Sequence, residues 1–345
     1  MSTPLAIICL SPPGFASAGM VRASRGAGFQ GGIALEHGEL RDATGLLETA
    51  AQAEVRWCIS IPQQDRQLLS CVEEFHGRGL SRVILCDVVA ASLNGLVKKL
   101  HAKGVEVFVQ VLDVDQARAA EGAGAEAIVV KGNESGGRVG EETSFILLQR
   151  VRSQSALPVW VRGGIGLNTA AACKVGGAAG VVLDWQLALC EESQLPEEVK
   201  ARVSRMDGSE TAILGQGCAF RYRAFTRAGE TGFSELRDVE DRLSLDLCTD
   251  QKVLAKWHGE VERRVRGEGE ASRVLLIGQD AALAASLAKQ FSTVARICEA
   301  IRRESQRLVR LAAKQKALRP GGPLAVSHGT RHPILQGPMT RVSDV

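Results

Sequence analysis

Gly124-Ala125-Glu126-Ala127-Ile128-Val129-Val130-Lys131-Gly132-Asn133-Glu134-Ser135-Gly136-Gly137-Arg138 decides how this chain of 345 residues is read. A helix-ending glycine leads into a short β-branched run, and a glycine-rich polar loop follows it. The unit recurs 31 residues on, where Pro158–Arg162 runs into Gly163-Gly164-Ile165-Gly166 and a helix over Asn168–Lys174.

Working outward, the same alternation covers residues 1–190. Apolar runs at Ala6–Leu10, Gly32–Leu35, Val55–Ser60, Arg82–Cys86, Glu106–Val111, Ala127–Lys131, Pro158–Arg162 and Gly180–Asp184 are separated by Ala- and Leu-rich helical stretches. Gly104, Gly124 and the Gly176-Gly177 pair stand where left-handed helix caps are needed. Eight such strands predict an α/β fold of the TIM, or (β/α)8, type over residues 1–205. Gly26-Ala27-Gly28-Phe29-Gln30-Gly31 matches G-x-G-x-x-G in letters, but it precedes a strand instead of following one, and it reads as a turn.

Beyond residue 205 the pattern loosens. Strands at Ala219–Phe225 and Arg273–Ile277 and a charged helix near Lys252–Arg266 predict an α/β appendage over 206–325. That span ends in a long connector helix, 293–318, with Val294, Ile297, Ile301, Leu308 and Leu311 at helical spacing.

Composition excludes several classes. Hydrophobic residues make up 45% and charged residues 23%, enough for a large core, while the net charge of +3 calls for neither nucleic acid nor an anionic membrane. The positive excess is local: residues 291–320 hold eight Lys/Arg against two Glu, read as a solvated helix face. No apolar run is long enough to span a bilayer, so a cytoplasmic location is expected. Nine cysteines without a C-x-x-C pair point to reduced, mostly buried thiols, Cys9 and Cys86 among them as core fillers. P-loop, H-E-x-x-H and G-x-S-x-G signatures are absent, and no metal site is expected.

Two glycine loops remain as the chemical candidates. Lys131, Glu134 and Arg138 lie where barrel enzymes place reacting groups, and Gly136 and Gly137 let backbone approach a flat ligand. Gly163 and Gly164 precede a helix N-terminus and form a phosphate cradle. The alternative is that these glycines serve tight turns only. His37 reads as a solvated loop residue.

Three stretches together, Gly124–Gly137, Leu157–Ile165 and Gly177–Leu183, resemble the nitronate monooxygenase family, which includes FMN-dependent enoyl reductases. The resemblance implies a TIM barrel with FMN at its mouth, its phosphate on Gly163 and Gly164 and its ring beside Gly136 and Gly137. NAD(P)H is then an electron donor. Lys131 either lies beside the flavin or pairs with Glu134 or Glu141 at the rim.

Two positions depart from the family pattern. Its nitronate oxidases carry a catalytic histidine where Arg138 stands, and arginine does not give up its proton, so reduction is favoured over nitroalkane oxidation. Its last strand leads into Gly-Thr, where this chain has Asp184-Trp185. A carboxylate about 4 Å from a phosphate costs up to about 4 kcal/mol per charge pair unless Arg162 compensates.

The tail, Ser327–Ser343, resembles the family's own first strand, with Gln336 and Gly337 facing a flavin, which implies that residues 326–345 begin a second, truncated barrel. Tandem barrels of this kind resemble the N-terminal regions of bacterial polyketide synthases. That implies an FMN-dependent oxidoreductase domain reducing an enoyl thioester on a carrier protein or a small-molecule substrate, among other synthase domains, with a homodimer compatible. Two further readings stand beside it: a catalytically degenerate barrel acting as scaffold or dimerisation element, and a barrel enzyme for another phosphate-bearing ligand.

Overall fold

The computed structural model describes residues 4–37, 43–245, 249–268, 272–316 and 318–334. The alternation closes as expected. β1 (Ala6–Leu10), β2 (Gln30–Ala34), β3 (Trp57–Pro62), β4 (Leu80–Cys86), β5 (Glu106–Val111), β6 (Ala127–Lys131), β8 (Val159–Arg162) and β9 (Gly180–Leu183) form a closed parallel barrel, β9 pairing back onto β1.

Inside, the barrel is filled by Ile8, Leu10, Ile84, Phe108, Val129, Trp160 and Val182 with smaller neighbours. Gly180 is required there: a Cβ on it would lie 2.5 Å from the Trp160 ring. Arg82 stacks over Phe108 at 4.1 Å and pairs with Glu106, closing the N-terminal end. Gly124 caps its helix in the left-handed region at φ 85°, as the sequence requires.

The loop after β6 does more than turn. Gly137–Val139 is strand β7, and it joins β10 (Thr211–Leu214) and β11 (Arg221–Phe225) in an antiparallel sheet of order β10-β11-β7. Helices Thr231–Leu243 and Gln251–Arg266 pack on this sheet through Leu236, Trp257 and Val261. The resulting cap sits over the C-terminal ends of the barrel strands.

The expected strand at Arg273–Ile277 is instead an extended crossing segment without a ladder. Its backbone bonds are spent on different elements: Phe225 N donates to Leu275 O at 2.9 Å, Trp185 Nε1 to Leu276 O at 3.0 Å, and Gln279 N to Glu134 O at 2.8 Å. The segment thus ties the cap, the β9 loop and the β6 loop across the mouth.

The long helix, Val294–Gln315, docks on the barrel. Val294, Ile297, Cys298 and Ile301 enter the main core against the helix Leu167–Val175. Each fully buried aliphatic side chain contributes about 1.5–3 kcal/mol, so this face is held firmly. The expectation of a second barrel falls mainly on residues 335–345, outside the described residues, as do Gln336 and Gly337.

Candidate functional site

The C-terminal end of the barrel carries a charged layer directly above its apolar filling. Glu36 follows β2, Ser60 and Gln110 come from β3 and β5, Lys131 and Arg162 end β6 and β8, and Asp184 follows β9. Arg162 organises the layer: its Nη1 donates to Glu36 Oε1 and Gln110 Oε1, both at 2.6 Å, and its Nε to Asp184 Oδ2 at 2.9 Å. Ser60 Oγ donates to the same Glu36 oxygen at 2.5 Å. Burial alone would raise the Glu36 carboxyl, but Arg162 and Lys131 together hold it far below the usual carboxylate range.

Lys131 is 1% exposed and 3.8 Å from Glu36, and among the described residues its Nζ has no hydrogen-bond partner. Burial, reinforced by Arg162, pushes its amine down. Its ion-pair partner is therefore Glu36 inside the barrel, not the rim carboxylates Glu134 or Glu141. Arg162 Nη2 is a second buried, unpartnered cationic donor.

The other expected reacting groups lie apart from it. The Glu134 carboxylate accepts from Ser144 N at 3.1 Å and from the Ser144 hydroxyl, so it caps the helix Ser144–Arg152. Arg138 leaves the mouth for the cap interface, pairing with Asp87 at 2.8 Å and stacking on Phe220 at 4.1 Å. Lys131, Glu134 and Arg138 thus engage three different partners, Glu36, Ser144 and Asp87.

Three of the four loop glycines lie in the left-handed region. Gly137, Gly163 and Gly164 have φ of 82°, 108° and 65°. Gly136 is pressed against the crossing segment, where a Cβ would collide with the Leu276 carbonyl.

The cradle, however, is filled by the chain itself. Asp280 Oδ2 lies 3.4 Å from Gly164 N and accepts from Gln186 Nε2 at 3.1 Å. A Cβ on Gly163 would stand 2.5 Å from Ser135 Oγ, and one on Gly164 would stand 3.1 Å from Glu134 Oε1. Burial first, and then the charges of Asp184 and Glu134, push the Asp280 carboxyl well up. A position that disfavours one native carboxylate charge disfavours a phosphate dianion more. In this arrangement the residues present do not fit the phosphate of FMN.

Two clefts open beside the closed mouth, of about 390 and 470 Å³, sharing Leu35, His37 and Arg266. Neither is lined by Lys131, Gly163 or Gly164. His37 is buried and ion-paired to Glu262, correcting its reading as a solvated loop histidine. Asp280, Glu36, Glu262 and His258 were missed in the sequence because none belongs to a local motif.

Comparison with known proteins agrees with this architecture. The family model described as nitronate monooxygenase matches residues 80–294, reaching past the barrel through the cap. The chain is 36% identical over 120 residues to the (3aS,4S,5R,7aS)-5-hydroxy-7a-methyl-1-oxo-octahydro-1H-indene-4-carboxyl-CoA dehydrogenase of Rhodococcus jostii, covering 34% of each. It is 29% identical over 191 residues to the nitronate monooxygenase of Pseudomonas aeruginosa, covering 51% of this chain and 54% of that protein. The chain thus spans about a third to a half of the curated relatives it matches.

Among solved structures, FabK from Thermotoga maritima superposes with a TM-score of 0.72 at 20% identity, over 90% of this chain and 96% of that one. The enoyl reductase domain of MlnA, from the macrolactin biosynthesis cluster of Bacillus amyloliquefaciens, gives 0.69 at 12% over the same shares. Among the described residues no helix is long and apolar enough to cross a membrane. With the barrel, its cap and the matched span in agreement, the chain belongs to the nitronate monooxygenase family of oxidoreductase folds.

Proposed function

We propose that this chain is a member of the family whose flavin site is closed from within and that it works as a scaffold or dimerisation element beside a catalytic unit. One observation carries the reading: the Asp280 carboxylate occupies the glycine cradle expected to hold phosphate, with Asp184 and Glu134 adding negative charge around it.

A second reading is favoured by a different observation. Lys131 Nζ and Arg162 Nη2 are buried cations without hydrogen-bond partners beneath the mouth, the kind of donors an electron-rich ligand would satisfy. On that reading the domain takes FMN after the crossing segment moves, receives electrons from NAD(P)H and reduces an enoyl thioester within polyketide or fatty-acid assembly. The likeness to an enoyl reductase domain and to a dehydrogenase named for a carboxyl-CoA compound supports the substrate class.

The visible absorbance of the purified chain separates the two, measured after adding excess FMN and removing what does not bind. A colourless protein that is folded by circular dichroism is the expected result. A retained flavin band overturns the scaffold reading, and NAD(P)H oxidation with an enoyl thioester then becomes the assay.

A further inference from the structure

The cleft of about 470 Å³ beneath the helix Gln251–Arg266 lies within the size range of small-molecule sites and is separate from the closed cradle. It runs between that helix and the ends of β2, β3 and β4. Val88, Val89 and Phe220 supply apolar wall. Arg138 and His258 both pack on the Phe220 ring, at 4.1 and 5.7 Å from its centre.

The polar groups of this cleft divide unequally. Its carboxylates are committed to the protein: Asp65 caps the helix Arg66–Phe75 through Gln67 N and Leu68 N, Asp87 holds Arg138, and Glu262 holds His37 and Arg266. Its donors are not all spent. Arg138 uses Nη1 on Asp87, while among the described residues its buried Nε has no partner and its Nη2 makes no hydrogen bond.

His258 is anchored through one ring nitrogen. Its Nδ1 lies 2.5 Å from the Tyr222 hydroxyl. Burial pushes the Tyr222 phenol well up and the His258 imidazole down, so both are neutral, and with the phenol donating to Nδ1 the ring carries its proton on Nε2. His258 lines the cleft, and its Nε2 makes no hydrogen bond among the described residues.

Backbone strain marks the same place. His37 and Asp87, one just beyond β2 and the other just beyond β4, are non-glycine residues in the left-handed region at φ 61° and 53°. Such conformations persist where the surroundings hold a side chain in a required position.

We infer that this cleft binds a small organic monocarboxylate, its carboxylate on Arg138 and His258 Nε2 and its apolar body against Val88, Val89 and Phe220. A planar guanidinium fork suits a carboxylate, and Asp87 on the same guanidinium disfavours a dianion such as phosphate. The site uses none of the cradle residues, so it stands whether or not flavin binds.

The test is histidine side-chain NMR of the full chain titrated with trans-cinnamate, with cinnamamide and inorganic phosphate as controls. The expected result is a saturable shift of the His258 imidazole with cinnamate, at least tenfold weaker binding of both controls, and a similar loss in Arg138→Gln. Ala255 is exposed on the cleft wall, so Ala255→Trp fills the space without touching the core and is expected to abolish the shift. Absence of a saturable shift, equal binding of cinnamamide or phosphate, or unchanged binding in folded Ala255→Trp each overturns the inference. Flavin absorbance reads the scaffold proposal independently.

Discussion

The Asp280 carboxylate and the Gly164 amide meet at 3.4 Å across 116 residues of sequence, so an anion-binding loop is satisfied from within the chain. The loop keeps the geometry of a cradle, and the occupant is a side chain delivered by the crossing segment. Closure of the mouth is thus a property of residues 272–282 as much as of the barrel.

This contact predicts a pH signature. The folded Asp280 pKa is raised above its ordinary 3.8, so its contribution to stability is complete below that value and is lost as pH rises through the folded pKa. Asp280→Asn removes the cost. The Tm advantage of this variant over wild type is expected to grow as pH increases above about 4; a difference that stays constant or shrinks on thermal melts across that range would sink the assignment.

Arg162 is the hub of the charged layer, and its loss leaves Glu36 and Asp184 as buried charges. Arg162→Leu is expected to cost about 3–5 kcal/mol, the range for breaking a buried pair from one side. Arg162→Lys rescues little, because one ammonium cannot replace donors that point separately at Asp184 and at Glu36 with Gln110. Urea unfolding of both variants checks this, and near-wild-type midpoints would contradict it.

The His37–Glu262 pair ties the barrel to its cap and titrates from both ends. For Glu262, burial opposes ionisation but His37 holds the carboxyl down to about 2, so its contribution is present above its ordinary 4.5 and fades as pH falls toward 2. For His37, burial opposes the charge but Glu262 raises the pKa, so its contribution is present below the ordinary 6.5 and fades as pH rises through the raised value. Glu262→Gln is expected to destabilise by about 3 kcal/mol, most strongly between pH 4.5 and 6.5. A destabilisation independent of pH, measured by denaturant titration, would show that packing and not charge holds the cap.

The thiols are expected to be silent in the folded protein. Burial pushes Cys58 and Cys190 up to about 12, and Cys9, beside Cys298 at 3.4 Å, well above its ordinary value. Native alkylation with iodoacetamide at neutral pH should leave these four unmodified by mass spectrometry, with full reaction in denaturant. Rapid labelling of Cys9 or Cys298 in the native state would mean that the helix Val294–Gln315 detaches from β1.

What was legible in the sequence followed from local chemistry. Ala127–Lys131 and Glu106–Val111 are strands at the residues where their β-branched runs place them, and Gly124 takes the left-handed cap its position demands. The docking of Val294, Ile297 and Ile301 was half legible: their spacing gives an apolar face, but not the surface that covers it. Arg273–Ile277 looked like a strand because its composition suits extended backbone, and it is extended; ladder pairing depends on neighbours that composition does not specify.

The amino-acid sequence by itself determined the barrel and its glycine loops, because periodicity and turn chemistry act over a few residues, and its motifs carried the family resemblance. Only the tertiary structure decided what fills the mouth. Asp280 reaches Gly164, Glu36 reaches Arg162 and Glu262 reaches His37 across 116, 126 and 225 residues. The charge state of each depends on burial and on partners that no local pattern contains. Whether a glycine loop is an anion site or a filled joint depends on such distant groups, and in this chain the Asp280 carboxylate lies against its Gly164 amide.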